Sequence, residues 1–320
     1  MDNWQSGSSL AMLQGRAELL LTLRQFFFQR SVMEVDVPVM ARSSVTDINI
    51  ESISAKPCGG SGYLQTSPEY FMKRLLCQGA GDIFCLGKAF RDGEQGCRHN
   101  PEFSLLEWYR CGWDEHQLMD EIAELISLVF AARSSQPLAI TKCTYGNCFS
   151  QTLGIDPHGV DLAELQEKAV AASSESWAGE SRANCLDLLF SLLVEPQLPL
   201  GLVFVYDYPA CQSALAQRHN NTQGQQVSRR FEVFLNGMEL ANGYFELTDR
   251  AEQQQRFDED IAHRVEAGKP QISADRHLLA ALEHGMPSCA GVAMGVDRLL
   301  MQLEGADSIA QVMPFSWDRC

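Results

Sequence analysis

Apolar and polar positions follow different periods in different parts of this chain. Over residues 10–30 the apolar positions Leu13, Ala17, Leu20, Leu21, Leu23 and Phe27 recur at helical spacing. Val32–Met40 (VMEVDVPVM) then alternates with the period of a strand, and Pro38 marks an edge or bulge within it. Further strands are expected over 45–53 and 63–66. Ser67-Pro68-Glu69 has the order of a helix start, with Ser67 as N-cap, Pro68 at the first helical position and a carboxylate in the first turn. That helix should run to Cys77 and stop at Gly79. Residues 82–91 and 102–110 read as strands joined by a polar loop, and 114–132 as a long helix. The span 135–200 reads as mostly helical, broken by a polar stretch at 173–182. A strand over 202–206 and an irregular polar stretch over 216–228 lead into FEVFLNGMELANGYFEL, residues 231–247. Its Asn236-Gly237 is the signal of a two-residue hairpin turn, because both central positions need positive φ. Helices over 250–267 and 275–284 precede the strand SCAGVAMGV, which runs directly into a helix over 297–304. Strands grouped towards both ends with helices between them predict an α+β fold, a mainly antiparallel sheet flanked by helices.

Composition narrows the setting. Of 320 residues, 45% are hydrophobic and 21% charged, which describes a globular protein with a sizeable core. No apolar run approaches the roughly 20 residues needed to span a bilayer, and the N-terminus lacks a signal-peptide pattern. Eleven cysteines without a C-x-x-C pair indicate neither a disulfide framework nor zinc, so a cytoplasmic protein is expected. Cys143 and Cys148 read as incidental. The net charge of −16 argues against a nucleic-acid partner and means that ATP would need specific arginines rather than a general positive field.

Three stretches carry candidate chemistry. If Leu235 and Met238 flank the hairpin turn, Phe234 faces Glu239 and Glu232 faces Ala241. Glu232 and Glu239 then share one face as diagonal neighbours about 7–8 Å apart. Carboxylates that close repel unless a cation sits between them, and Mg²⁺ takes only one or two carboxylates when it also binds phosphates. Taken alone, the stretch also fits a solvated acidic hairpin. The second stretch, FRDGEQGCRHNPEFSLLEWYR (Phe90–Arg110), reads as a hairpin whose tip carries Arg91, Arg98 and His99. Arginines there can fork onto phosphate oxygens, Phe103 offers a flat face to a base, and Glu107 and Tyr109 share one face of the return strand. Singly, Arg91 also fits a surface salt bridge. The third stretch, GVAMGVDR (Gly291–Arg298), lets backbone approach a ligand and puts Arg298 at a helix start.

Together these stretches resemble the three signature motifs of class II aminoacyl-tRNA synthetases. Val35–Met40 with Pro38 resembles the first, Phe90–Glu107 the second and Gly291–Arg298 the third. Thr66–Glu69 (TSPE), Arg98–Phe103 (RHNPEF) and the glutamate-rich hairpin are similar to lysyl-tRNA synthetases. Two departures point to truncated members of that group: the catalytic pattern begins almost at residue 10, and Ala293 stands where Gly-x-Gly-x-Gly is usual.

The resemblance implies a class II synthetase-like catalytic domain over 15–320, an N-terminal extension over 1–14 and no anticodon-binding domain. It implies activation of (R)-β-lysine with ATP as an acyl-adenylate, then ligation to the ε-amine of a lysine on elongation factor P, with no tRNA. Arg91 would hold the α-phosphate and the substrate carboxylate, and Arg298 the γ-phosphate. Phe103 and Arg298 would sandwich adenine, with Asp92, Gly93, Asn100, Leu240 and Gly295 around the nucleotide. Glu232 and Glu239 would hold Mg²⁺. Glu246 would join Glu107 and Tyr109 around the side-chain ammonium, with Ser67, Pro68, Glu69 and Asn242 near the other amine and Ala293 in the pocket wall. No zinc or covalent nucleophile is called for. A homodimer built through Val35–Met40 is implied too. The second motif usually reads Arg-x-Glu, whereas here Gly93 takes the place of the glutamate and Glu94 follows. A minimal lysyl-tRNA synthetase-like ligase with another acceptor and a catalytically silent regulatory paralogue stay open as alternatives.

Overall fold

A computed structural model describes residues 4–131, 133 and 136–320, so residues 1–3 of the expected extension and position 132 of the expected helix lie outside it. The chain forms two compact units, Met1–Ser135 with Leu247–Cys320, and Gln136–Glu246. The first leg of the first unit comprises α1 (Leu10–Phe28), β1 (Met33–Glu34), β2 (Met40–Ala41), β3 (Ser54–Ala55) and β4 (Gly62–Leu64). It continues with α2 (Glu69–Cys77), β5 (Ile83–Phe90), β6 (Glu102–Cys111) and α3 (Glu115–Ala131). The second unit holds β7 (Ile140–Thr144), α4 (Tyr145–Leu153), α5 (Leu162–Ala172), α6 (Arg182–Leu189), β8 (Leu202–Pro209), β9 (Arg218–Asn220), β10 (Gln226–Leu235) and β11 (Met238–Phe245). The chain then returns to the first unit with α7 (Arg250–Glu266), α8 (Arg276–His284), β12 (Cys289–Gly295), α9 (Val296–Glu304) and α10 (Ile309–Val312).

In the first unit the strand order is β1-β5-β6-β12, with β5–β6 and β6–β12 antiparallel and β1–β5 parallel. A small antiparallel sheet, β2-β4-β3, stands beside it. The core forms where α1 and α3 cover this sheet: Phe27 stacks on Phe84 with centroids 4.7 Å apart and meets Trp108 at 5.1 Å. Trp108 is fully buried, and its indole N–H donates to Glu121 at 3.1 Å, which satisfies the one polar atom that burial would orphan. In the second unit β11-β10-β8-β7 are neighbours in that order, with β9 also on β10. β10 is antiparallel to β8, β9 and β11, and β7 is parallel to β8. Tyr145, Phe149, Phe190, Tyr208 and Phe234 make its aromatic core.

The helix predicted from Ser67 starts one residue late, at Glu69, with Pro68 as its N-cap instead of its first helical residue. Ser67 Oγ accepts from the Glu69 N–H at 3.2 Å, and Gly79 at φ 90° ends the helix while the Ala80 N–H returns to the Leu75 carbonyl. The strand expected over Val32–Met40 survives only as β1 and the first residue of β2. Val35 still donates to Phe84, but Pro38 has no N–H with which to continue the ladder. No strand forms over 45–53. Asp47 accepts from the Asn49 N–H at 2.7 Å, and this local Asx turn takes the backbone away from sheet pairing. β7 lies inside the span read as helical, because its ladder partner, β8, is 62 residues away (Ile140 faces Leu202) and leaves no local signal. β9 likewise interrupts the polar stretch 216–228: Asn221 folds the chain back by accepting from Gln223 and Gln225 at 3.0 Å each. Cys143 and Cys148, read as incidental, touch, with Sγ atoms 3.2 Å apart.

The hairpin turn is as predicted, with φ of 50° at Asn236 and 74° at Gly237, and Phe234 faces Glu239. A bulge between Val233 and Phe234 then shifts the register, so Glu232 faces Asn242 instead of Ala241.

Candidate active site

The β5–β6 hairpin delivers the arginine cluster of the first unit. The Arg91 N–H donates to Pro101 as the ladder closes, and its guanidinium lies 5.1 Å from the centre of the Phe103 ring. Arg91 Nη1 reaches Glu94 at 3.4 Å, so the carboxylate one place late in the motif does meet the arginine. Gly93 adopts φ +75°, a conformation that disfavours any side chain, which accounts for glycine at this position. The Asp92 N–H is held by the Glu51 carbonyl at 2.8 Å. Arg91 Nε is buried without a hydrogen-bond partner, and an anion reaching the tip would supply one.

Arg298 stands in the first turn of α9, with its guanidinium 2.7 Å from His99 and 3.4 Å from the Arg98 carbonyl. The second and third stretches singled out in the sequence therefore converge. Gly295 is the residue from which α9 starts. Asn100 belongs to the same tip but spends its amide on structure. It donates to the Glu102 carbonyl at 2.7 Å and accepts from the Trp317 N–H at 2.9 Å, fastening the C-terminal turn to the loop.

Further along β6, Glu107 and Tyr109 lie on one face as predicted, and the phenol donates to Glu107 at 2.7 Å. β12 places Ala293 directly opposite Glu107 and Gly291 opposite Tyr109. The methyl group of Ala293 thus stands beside the buried carboxylate, about 4.5–5.5 Å away between Cβ atoms. Glu69 follows Ser67 and Pro68 at the start of α2 and accepts from Lys73 at 2.6 Å, one turn on. Ser67 and Glu69 border a pocket completed by Ser43, Gln65, Tyr70 and Asp275.

The second unit supplies the acidic hairpin. Both oxygens of Glu232 are engaged: one accepts from Arg230 at 2.5 Å, the other from the Tyr208 hydroxyl at 2.7 Å. Burial pushes the Glu232 carboxyl up to about 7; Arg230 pulls it down, and the Glu239 carboxylate raises it again. Glu239 faces Phe234, two residues along β10 from Glu232, so the two glutamates share one face of the hairpin despite the shifted register. Asn242, opposite Glu232, has a buried Oδ1 without a hydrogen-bond partner. Leu240 is the buried residue at the bulge, and Glu246 is buried where the chain bridges to Ala216.

Sequence reading missed Lys73, Arg230 and Tyr208. Lys73 was visible as the basic partner at i+4 of Glu69, and Arg230 as the residue two before Glu232 on the same strand face. Tyr208 arrives from β8, and only sheet pairing shows it.

The family model of the class II tRNA synthetases (D, K and N) matches residues 2–319, and the chain belongs to this family. Membership implies the use of ATP. Among its relatives are proteins named elongation factor P–(R)-β-lysine ligase. That of Edwardsiella ictaluri is 44% identical over 328 residues, covering 100% of this chain and 99% of the relative. Those of Vibrio parahaemolyticus and Pseudoalteromonas translucida are each 45% identical, over 98% and 99% of this chain and 98% of their own lengths.

Proposed function

We propose that the chain is an AMP-forming ligase that activates (R)-β-lysine and passes it to a lysine of elongation factor P. The observation that carries the reading is Ala293 facing Glu107: a methyl group narrows the pocket beside the carboxylate that would take the side-chain ammonium. The narrower pocket disfavours the pose of an ordinary α-lysine. Full-length likeness to relatives of that name supports the acceptor.

In the first half-reaction the amino-acid carboxylate attacks the α-phosphorus of ATP and pyrophosphate leaves. In the second the acceptor ε-amine attacks the acyl carbon and AMP leaves. Catalysis is then mainly positioning and charge neutralisation. Arg91 neutralises the α-phosphate and orients the carboxylate, and Arg298 grips the γ-phosphate. Phe103 supplies the stacking face for adenine, beside the backbone of Asp92 and Gly93. Glu107, Tyr109 and Glu246 receive the side-chain ammonium, while Glu69 and Asn242 serve the second amine. The pairing of Glu69 with Lys73 holds that carboxylate oriented. Glu232, Glu239 and the unpartnered Asn242 oxygen form a hard oxygen donor set that fits Mg²⁺. When bound, the ion would offset negative charge on the phosphates.

A second copy of the chain is the proposed partner of the β1–β2 region, where Phe28, Met33 and Met40 are exposed. Light scattering at micromolar concentration should give twice the 35.6 kDa chain mass, and a monomer mass refutes it. All eleven cysteines are free, which fits a reducing cytoplasm, the proposed location.

The test offers purified protein, ATP and radiolabelled β-lysine with either elongation factor P or total tRNA. Label on the protein factor is expected. Label on tRNA alone overturns the reading in favour of a minimal synthetase.

A further inference from the structure

Beneath the arginine cluster, on residues outside the nucleotide set above, lies a closed ring of short polar contacts. Arg16 on α1 donates through Nη1 to Asp297 Oδ1 at 2.6 Å and through Nη2 to Ser104 Oγ at 2.6 Å. The Ser104 N–H donates to the other Asp297 oxygen, also at 2.6 Å. Arg16 Nη1 further approaches the Val312 carbonyl at 3.4 Å, at the end of α10. All three side chains are buried, Asp297 to within 1% of full exclusion. A buried ion pair of this kind is weak evidence for stability, because desolvation offsets much of the attraction. What it does supply is a fixed geometry, since each partner meets the others at one angle and distance.

Its placement gives that geometry a use. Ser104 directly follows Phe103 on β6, and Asp297 directly precedes Arg298 on α9. Successive strand residues point to opposite faces, so the ring holds β6 from the side opposite to the Phe103 ring. Asp297 in the first turn of α9 also complements the helix dipole. Arg16 ties both elements to α1, far away in sequence.

We propose that Arg16, Asp297 and Ser104 are positioning residues for ATP: the ring sets the distance between the Phe103 face and the Arg298 guanidinium, and thereby the slot for the nucleotide. This rests on the ATP roles proposed above for Phe103 and Arg298. None of the three has a role in contacting ATP itself.

The test compares wild type with Asp297→Asn, Ser104→Ala, Arg16→Met and Arg16→Lys. Direct ATP binding is followed by calorimetry, KM for ATP and for β-lysine by pyrophosphate exchange, and folding by thermal melts. For Asp297→Asn and Arg16→Met the expected result is an ATP Kd and KM raised about tenfold or more, with KM for β-lysine changed less than about twofold. Arg16→Lys should recover part of the loss, and Ser104→Ala should show the smallest effect. Variants that bind ATP as wild type does, or that raise both KM values equally in step with a lowered Tm, overturn the inference. If the variants weaken ATP binding as expected while wild type activates no lysine isomer, the inference stands and the proposed reaction fails.

Discussion

Two partly buried carboxylates, one in each unit, shift in opposite directions: the Glu51 side chain is 34% exposed and that of Glu232 13%. In the first unit, Glu51 is held below the usual glutamate range. Burial alone would raise it, but hydrogen bonds from Lys269 and Arg264 and their charges outweigh that. In the second unit, Glu232 has Arg230 and Tyr208 as partners, yet its carboxyl is pushed up to about 7. Most of its side chain is out of solvent, and the charge of Glu239 raises it further. The difference follows from how much solvent each carboxylate keeps and from the sign of the charges around it. At Glu51 two cations outweigh partial burial, whereas at Glu232 burial and a second carboxylate outweigh one arginine. The first unit carries the arginines suited to phosphate, and the second carries the anions suited to a metal.

The largest effect is expected at Glu239. Replacing it with Gln should lower pyrophosphate exchange on the order of 100-fold, the size expected for losing one group that stabilises transition-state charge. Normal exchange by this variant at low Mg²⁺ removes the metal role.

A smaller effect sharpens the first unit's half of the contrast. Ala293→Gly should improve activation of α-lysine by about tenfold, because a methyl in a packed pocket discriminates by about 1–3 kcal/mol. Unchanged selectivity between α-lysine and (R)-β-lysine would show that the pocket wall lies elsewhere.

The smallest effects are in stability against pH, and they have opposite signs. The raised folded value of Glu232 means that its contribution is fully present below about 4.5 and is lost as pH rises through about 7. Melts from pH 5 to 8 should show this loss in wild type and not in Glu232→Gln. The depressed value of Glu51 means that its contribution is present above the ordinary glutamate value of 4.5 and is lost as pH falls through the folded value. Glu51→Gln should therefore flatten the acid side of the same profile. Identical profiles for both variants would erase the contrast between the units.

The amino-acid sequence by itself determined the elements whose signals are local. Ser67-Pro68 and Gly79 bracketed α2 to within a residue, Asn236-Gly237 set the hairpin turn, and the period of Leu20, Leu23 and Phe27 defined α1. It also marked Arg91, Arg298, Glu232 and Glu239 as a set, because their motifs sit in short stretches. Tertiary structure alone decided what depends on partners far along the chain. β7 exists because β8 pairs with it, and Glu232 faces Asn242 because a bulge absorbs one residue. Asn100 is held by the C-terminal turn, and Arg16 meets Asp297 across 281 positions. Hydrogen bonding and burial act through space, so a pattern of neighbours in sequence can name the residues of a site but not the contacts that set their charge and distance.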